Sequence, residues 1–379
     1  MAGLFFMNHS HYDIIMAGGG AASRILLYFM RLQPGFDQLR ILVLEAENRI
    51  AEKTWCFWTQ QQHPFEHLIR KQWDELEFKA SDYTVHESIN PYRYCCIHGA
   101  DFNRYFNTDF FPAYPNITLL QQKILSAEQS NSNWTVVTEQ HAFTCARLVS
   151  NAPVEYPGKP MLQHFHGWFI EYNHDVFDEN RALLMDFALP GNNQFCFFYV
   201  LPFSSRKALV ECTYYSADPF EESSYEQEIH HYLLKRFGKD FTIYHKERGA
   251  IPLQLLTEKS APPSALIAIG QSAGMIKPST GYAFQRMVED SKLLAASLHN
   301  EQPTRRQRHS RFRFYDRLLL SIIKEEPGRA VSIFQQLFTK SSMKSILTFL
   351  DENSTLAEEA KLFSKLPWWP FLKRIKLNG

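Results

Sequence analysis

The chain has 379 residues, of which 45% are hydrophobic and 15% aromatic, enough apolar material for two domains or one large composite domain. Forty basic and forty acidic residues give a formal net charge of zero, which argues against recognition of nucleic acid through a global positive field. Because no apolar run approaches the roughly 20 residues of a spanning helix, we expect a protein that does not cross a bilayer.

The first predicted elements form a nucleotide-binding βαβ unit. A buried strand over Tyr12–Ala17 leads through three consecutive glycines into a helix over Ala21–Leu32, and a second parallel strand follows over Ile41–Leu44. In this pattern glycines let the backbone turn tightly and approach a pyrophosphate at the helix N-terminus, while an acid after the second strand binds a ribose. The residues assigned to these roles are Gly18, Gly20, Ala22 and Glu45.

Ser23 stands where the third glycine of this pattern is expected, so helix and strand pack less closely there. The order of strand, turn, helix, strand and acid predicts a dinucleotide site, and its place at the start of the chain favours FAD. The unit alone does not separate FAD from NAD.

Further along the chain the pattern of predicted elements changes twice. From Met161 to Pro252 strands surround one helix, and then an apolar strand and a glycine-bearing loop precede a helix that starts near Gln285. The last quarter is helical, with a break at Pro327 and Gly328. We therefore predict an α/β fold: an FAD-binding Rossmann-like domain, residues 1–160 and 253–300, an inserted mixed β-sheet substrate domain, residues 161–252, and a helical C-terminal region, residues 301–379.

The hairpin FFYVLPFSSRKALVECTYYS, residues 197–216, carries a carboxylate inside its second strand. Strand alternation places Leu209, Glu211 and Thr213 on one face, and the pattern does not say whether that face meets solvent or a cavity. On a solvent face Glu211 has no special role. In an apolar cavity, desolvation raises its pKa and keeps a proton on it near neutral pH, ready to protonate an alkene.

Several motifs together resemble one family. The glycine fingerprint, KTWCFW, MLQHFHGW, LLMDF, FYVLPFSSRKALVECTYY, ERGAIPL and GMIKPSTGYAF occur in the order and approximate spacing of the bacterial lycopene β-cyclases. The sequence is similar to that family over nearly its whole length. The resemblance implies a flavoprotein of carotenoid biosynthesis with the p-hydroxybenzoate hydroxylase type of fold.

The resemblance also implies a reaction. The family cyclises the linear ends of lycopene and related linear carotenoids to β-rings: C2 is protonated, the cation at C1 is captured by the C5=C6 double bond, and C6 loses a proton. No net oxidation occurs, although reduced FAD is required as a cation stabiliser and NAD(P)H serves to reduce it. The acid of the family's strand motif maps onto Glu211.

The second flavin motif of this fold is a strand, a Gly-Asp pair, and then a proline and a glycine before a helix. Gly270, Pro278 and Gly281 match it, but Gln271 stands at the aspartate position, which puts the usual ribityl contact in doubt. Gly274 is assigned to the same cofactor loop.

Two cations near these motifs are assigned to cofactor binding, each against an alternative. Lys277 pairs with the flavin or a phosphate, or is a solvated loop lysine. Arg104 lies near the flavin, or on a helix surface.

Aromatic residues offer a second means of stabilising a cation. Trp55, Trp58 and Tyr282 are candidates for cation–π contacts with the intermediate, and ordinary core packing is the alternative for each.

No metal site is predicted. His164 and His166 alternate like strand residues but have no third ligand at a telling spacing. The six cysteines fall in no zinc or redox spacing either, and no secretory signal is present, so we expect free thiols in a reducing cytosol.

Two segments suit attachment to an anionic membrane surface: LPWWPFLKRIK, residues 366–376, and RRQRHSRFR, residues 305–313. The alternatives are a packed tail and a solvated helix face. We expect a cytoplasmic protein bound peripherally to the inner face of the cell membrane. Two other functions stay open: an FAD-dependent monooxygenase or other carotenoid oxidoreductase on the same fold, and a carotenoid-binding protein without turnover.

Overall fold

The structure is a computed structural model that describes residues 10–46, 53–80, 83–130, 132–151, 158–188, 194–255, 266–300 and 303–377. Its strands are β1 (Ser10–Ala17), β2 (Ile41–Glu45), β3 (Thr54–Thr59), β4 (Ile69–Trp73), β5 (Glu75–Ala80), β6 (Tyr83–Ser88), β7 (Arg93–His98), β8 (Ile117–Gln121), β9 (Ile124–Ser130), β10 (Asn133–Thr138), β11 (Ala142–Ser150), β12 (Met161–Tyr172), β13 (Arg181–Phe187), β14 (Phe195–Pro202), β15 (Lys207–Ser216), β16 (Phe241–Leu253) and β17 (Ile267–Ala268). Its helices are α1 (Ala21–Met30), α2 (Gly99–Tyr105), α3 (Phe111–Ala113), α4 (Glu222–Arg236), α5 (Phe284–Ser297), α6 (Ser310–Glu325), α7 (Pro327–Lys340), α8 (Met343–Leu350), α9 (Leu356–Phe363) and α10 (Trp368–Leu377).

The first sheet contains the predicted βαβ unit. Its strand order is β8-β2-β1-β11-β10-β9, with β17 beside β11, and β1, β2, β8, β11 and β17 are parallel. The strand β2 reads Ile-Leu-Val-Leu and is buried along that run, as strands of a sheet covered on both faces are. The predicted unit is confirmed, with β1 beginning and α1 ending two residues earlier than expected.

The second sheet is mixed and has the order β16-β12-β15-β14-β13-β5-β6. All its strand pairs are antiparallel except β13 with β5. The inserted mixed sheet is therefore confirmed. Two of its strands, β5 and β6, come from within residues 1–160, so the sheet is not confined to residues 161–252, and the predicted domain bounds remain a prediction.

Both faces of the second sheet are covered. On one face Val210, Cys212 and Tyr214 of β15 pack in a core with α4. On the other face Leu209 and Tyr215 of the same strand belong to a core shared with α6, α7, α8 and α9. The alternation expected for the hairpin holds, and the face that carries Glu211 turns toward the C-terminal helices.

The helical C-terminal region is confirmed. Helix α6 ends at Glu325 and α7 begins at Pro327, whose fixed φ and missing N–H suit the first turn of a helix. A small third sheet, β3-β7-β4, completes the strands of the described chain, and the six cysteines are free thiols. Within the described residues, no helix combines the length and the apolar character that a bilayer-spanning segment requires.

Candidate active site

A cavity of about 430 Å³ lies between the second sheet and the C-terminal helices. The loop that carries the second glycine motif forms part of its wall, through Gln271, Gly281 and Tyr282. Most of the remaining wall is apolar. It is formed by Phe165, Leu184, Met185, Phe197, Leu209, Ile333, Phe334, Leu337, Phe338, Ile346, Phe349, Leu350, Leu362 and Phe363.

Glu211 projects into this cavity from β15 and is only 9% exposed. The hydroxyl of Thr213, two residues along the same face, donates to its Oε1 at 2.6 Å. Burial, and then the nearby charge of Glu247, raise the pKa of Glu211 to about 8. The Glu211 carboxyl therefore holds its proton at neutral pH, and the solvent-face alternative is excluded.

Glu247 of β16 is a second buried acid on the cavity wall, and the sequence analysis missed it. Its Oε2 accepts hydrogen bonds from the Thr54 backbone N–H at 3.0 Å and the Thr54 hydroxyl at 2.8 Å. Burial raises its pKa to about 7, against the opposing effect of these bonds. An acid beside an arginine in a partly polar strand is typical of a solvent-exposed face. The only signal for a functional role was its place within the motif ERGAIPL.

The first glycine turn leaves room for a ligand. Gly18 has φ +106°, a conformation that glycine adopts readily, and a Cβ built on Gly18 or Gly20 meets nothing within 4 Å. The carboxylate of Glu45 accepts from the Gly19 N–H at 2.8 Å, and so lies beside this turn. The Ser23 hydroxyl donates to the Gly18 carbonyl at 2.6 Å, which gives the replaced glycine a supporting contact.

The two glycine motifs meet in space. A Cβ built on Gly270, which has φ +57°, would lie 2.9 Å from the Ala22 Cβ of α1. Gln271 stands at the expected aspartate position. Its backbone N–H donates to the Asn151 Oδ1 at 2.9 Å, which holds the loop backbone in place. Gly274 also has positive φ, at +72°. An open glycine turn beside a helix N-terminus, with a second glycine loop packed against it, fits a dinucleotide such as FAD.

The structure does not support the assignment of Lys277 and Arg104 to cofactor binding. Lys277 is 2% exposed, and its Nζ lies 3.1 Å from Glu352 Oε1 and 3.3 Å from Asp316 Oδ1, so it is neither a phosphate ligand nor a solvated loop residue. The Arg104 side chain is 69% exposed and pairs with Asp101, which makes it a helix-surface residue.

The arginine that contacts the first glycine turn is Arg24, which the sequence analysis did not select. Its Nε donates to the Gly19 carbonyl at 2.7 Å from a buried position on α1. Burial lowers the pKa of Arg24 to about 10, against the attraction of Glu45, so the side chain remains cationic.

The three candidate aromatic residues separate into two groups. Trp55 and Tyr282 line the cavity, whereas Trp58 does not and packs edge-on behind Tyr282, with ring centroids 4.6 Å apart. Core packing is therefore the role of Trp58. The Tyr282 hydroxyl bonds the Tyr94 hydroxyl at 2.8 Å, which in turn bonds Tyr199.

The histidines of β12 are structural. His164 is buried and bonds the Ser216 and Tyr225 hydroxyls through its two ring nitrogens, and His166 stacks on Tyr225. Among the described residues, no cluster of His, Cys, Asp and Glu could hold a metal ion.

The two predicted membrane segments differ. In residues 305–313 four arginines form ion pairs within the chain: Arg305, Arg306, Arg308 and Arg311. This stretch is therefore not a free basic face. In α10, by contrast, Trp368 and Trp369 are 65% and 60% exposed, next to Phe371, which lines the cavity. Residues 378–379 and the side chains of residues 376–377 lie outside the described part.

Comparison with known proteins agrees with this geometry. Structures that share the fold include a geranylgeranyl bacteriochlorophyll reductase-like protein from Thermoplasma acidophilum, with a TM-score of 0.63 at 10% identity over 97% of this chain and 99% of that one. A variant of Klebsiella pneumoniae HpxO in complex with FAD has a TM-score of 0.62 at 12% identity over 90% and 98%. This chain therefore shares the fold of these proteins, and the predicted fold class is confirmed.

Sequence comparison identifies the family. The lycopene β-cyclase of Pantoea ananas is 25% identical over 76% of this chain and 74% of its own length. That of Pseudescherichia vulneris is 24% identical over 83% and 84%. The family model described as lycopene cyclase protein matches residues 13–376. The chain therefore belongs to the lycopene cyclase family.

Proposed function

We propose that this protein is a lycopene β-cyclase, which converts the linear ψ-ends of lycopene and related linear carotenoids to β-rings by proton-initiated, non-redox cyclisation. The observation that carries the proposal is a buried, protonated carboxyl group, Glu211, in an apolar cavity that also reaches the second glycine motif of a flavoprotein fold. An apolar wall suits a polyene and excludes the water that would quench a carbocation.

Glu211 starts the reaction in this proposal. Its carboxyl gives a proton to C2 of a ψ-end, which places a positive charge on C1. The C5=C6 double bond then attacks C1, closes the ring and moves the charge to C5. Loss of the C6 proton restores a C5=C6 double bond, so one proton enters, one leaves and no electrons are exchanged.

FAD is held in this proposal by the two glycine motifs, through Gly18, Gly20, Ala22 and Glu45 on one side and Gly270, Gln271, Gly274 and Gly281 on the other. Bound in its reduced form, with NAD(P)H as reductant, FAD supplies a negative charge that stabilises a cation in a low-dielectric site. The ring faces of Trp55 and Tyr282 add cation–π attraction of about 0.5–2 kcal/mol each.

The substrate reaches the cavity from the cytoplasmic face of the membrane in this proposal. Helix α10 supports it, because its exposed face carries Trp368, Trp369, Leu372 and Ile375. The cavity wall includes Phe371 of the same helix and Leu366 just before it. In this proposal the segment joins an apolar surface to the cavity and lets a water-insoluble polyene enter from the membrane.

The reaction is tested with lycopene in liposomes, assayed without oxygen in the presence of reduced FAD. We expect ring-bearing product from the wild type without stoichiometric consumption of reductant. Glu211→Gln should lower the rate by about 10²–10⁴, as expected when a general acid is lost. The matched control is Glu171→Gln on the exposed end of β12, which should retain activity.

Other outcomes of this assay would contradict the proposal. Consumption of oxygen and NAD(P)H coupled to an oxygenated product would favour a monooxygenase. Binding of lycopene without any product would favour a carotenoid-binding protein. Full activity of Glu211→Gln would remove Glu211 as the acid while leaving cyclisation in place.

Membrane attachment is tested by sedimentation with vesicles. Removal of residues 366–379, or the double change Trp368→Ser and Trp369→Ser, should abolish co-sedimentation, because the exposed apolar face is lost. Leu356→Ser is the matched control, since Leu356 is an equally exposed apolar residue on α9. Unchanged sedimentation of both α10 variants would contradict attachment through this helix.

A further inference from the structure

A glycine separates the two buried acids of the cavity. In the register of the second sheet, Gly167 of β12 lies opposite Glu211 of β15 on one side and opposite Glu247 of β16 on the other. A Cβ built on Gly167 would lie 3.6 Å from the Glu211 Cβ and 3.2 Å from the Glu247 Cγ. Gly167 contributes no side chain, so no side chain of β12 separates the two acids, although the Leu209 Cδ1 of β15 lies 2.8 Å from the built Cβ and fills part of the space above Gly167.

The hydrogen bonds distinguish the two acids. Glu211 accepts one hydroxyl donor, Thr213, at Oε1. Glu247 accepts two donors from Thr54 at a single oxygen, Oε2. Hydrogen bonds donated to a carboxylate favour its anionic form, so the arrangement favours a proton on Glu211 and a negative charge on Glu247. Two nearby carboxyl groups in a dry site share one proton more readily than they ionise together.

We propose that Glu247 is the base of the reaction: its carboxylate takes the proton that leaves C6 and returns it to Glu211 across Gly167. This inference rests on the proposed cyclase function. When the C6–H bond breaks, its electron pair forms the C5=C6 double bond and the proton bonds to Glu247. Transfer of that proton to the Glu211 carboxylate restores both groups, and no oxidant or reductant is needed.

Several other groups around the cavity are poorly suited to be this base. Burial raises the pKa values of Tyr215 and Tyr282, so both hydroxyls stay protonated. Asp316 of α6 is ion-paired with Lys277 and Arg308 and accepts the Ser279 hydroxyl. Lys53, which faces Glu247 from the residue before β3, is a cation that favours the Glu247 anion. Along β16 itself, Lys246 and Arg248 pair with acids of α4 on the opposite face.

The test compares the pH–rate profile of the wild type with that of Glu247→Gln. In the wild type, the rate should fall on the acid side as Glu247 gains a proton, near pH 7, and on the alkaline side as Glu211 loses one, near pH 8. In Glu247→Gln, turnover should fall by about 10²–10⁴, the acid limb should vanish and the alkaline limb should move to lower pH. Lycopene binding should be unchanged.

Glu226→Gln is the matched control, because Glu226 pairs with Lys246 on the far face of β16, and it should keep the wild-type profile. Thr54→Val supplies a second variant if Glu247→Gln does not fold. Removing the hydroxyl donor raises the pKa of the Glu247 carboxylate, so the acid limb should move to higher pH.

The outcomes separate this inference from the cyclase function. Wild-type protein that never cyclises lycopene would overturn both. Active wild type with the same rate and profile in Glu247→Gln would overturn the base alone. Infrared titration of the carboxyl groups without substrate gives an independent readout, in which Glu211 should ionise at lower pH in Glu247→Gln than in the wild type.

Discussion

Glu211 lowers the stability of the folded protein at neutral pH. Its pKa is about 8 when folded, against an ordinary value of 4.5. Between these values the folded protein keeps a proton that the unfolded chain releases, so the free energy of unfolding decreases as pH rises. The same burial that keeps a proton on Glu211, ready for donation, therefore lowers the stability of the folded protein.

We therefore predict that Glu211→Gln stabilises the protein while it removes activity. The gain should be on the order of 4 kcal/mol at pH 8 and should disappear toward pH 4, since a neutral amide has no proton to lose. Urea unfolding of both proteins across this pH range measures it. Glu171→Gln, in the same sheet but exposed, should show no such gain, and equal stability of Glu211→Gln and wild type at pH 8 would contradict the prediction.

At the residue scale, the sequence located Glu211 but could not decide its environment. Strand alternation is a local property, whereas the covering of its face by helices more than 100 residues later in the chain is not. The same limit explains Lys277, whose partner Glu352 is 75 residues away. Local pattern placed Lys277 correctly in the loop, and tertiary contact decided what it binds.

At the element scale, a buried ion cluster joins the second glycine loop to the C-terminal helices. Glu352, which follows α8, pairs with Lys277 of the loop, with Arg286 of α5 and with Arg308. Glu352 has φ +65°, a left-handed conformation that costs a residue with a Cβ roughly 1–2 kcal/mol. Arg306 is a fourth partner at 3.5 Å, so a glutamate stands where glycine would be relaxed and its charge is shared by four cations.

We predict that Glu352→Gln destabilises the protein by about 3–5 kcal/mol, because it leaves buried cations without their counter-charge. Burial alone would raise the pKa of Glu352, but the surrounding cations outweigh it and lower the pKa to about 2. The contribution of the Glu352 charge to the free energy of unfolding should thus be complete above pH 4.5 and lost as pH falls toward 2. Thermal unfolding measures this, with Glu289→Gln, at the exposed edge of the cluster, as the nearly neutral control. A fall in stability no larger for Glu352→Gln than for this control would contradict the prediction.

Which elements form was largely predictable, and how they assemble was not. An apolar run, glycines and a helical repeat are contiguous signals, so β1, α1 and β2 were assigned to within two residues. The pairing of β5 with β13 joins segments about 100 residues apart, and no local pattern predicts it.

At the scale of the whole molecule, the second glycine loop packs closely against the second sheet at Gly281. Gly281 has φ +74°, and a Cβ built on it would lie 2.1 Å from the Gln163 Oε1 of β12. The absence of a side chain at Gly281 thus lets the loop lie directly against β12, the strand next to the one that carries Glu211. A side chain at position 281 would therefore have to displace the Gln163 side chain and would strain a backbone with positive φ.

We predict that Gly281→Ala lowers the amount of FAD that co-purifies and destabilises the protein more than Gly158→Ala. Gly158 has a similar φ of +86° but open space around its built Cβ, so it controls for backbone strain alone. Bound flavin is measured by absorbance after gel filtration, and stability by thermal unfolding. Equal flavin content in the two variants would show that close packing of Gly281 against Gln163 does not influence cofactor binding.

Because the basic residues pair with acids of the chain, the protein should attach to a membrane through apolar contacts and not through electrostatic attraction. Four arginines of residues 305–313 are committed to acids of the chain, and in α10 Arg374 is buried against Glu325 and Glu326 while Lys373 lies near Glu326. In the described part of these two segments most basic side chains are therefore paired with acids of the chain, so attachment should depend on the exposed apolar face of α10, with Trp368 and Trp369. High-salt washing should leave the protein on vesicles, neutral and anionic vesicles should bind it alike, and mild detergent should release it.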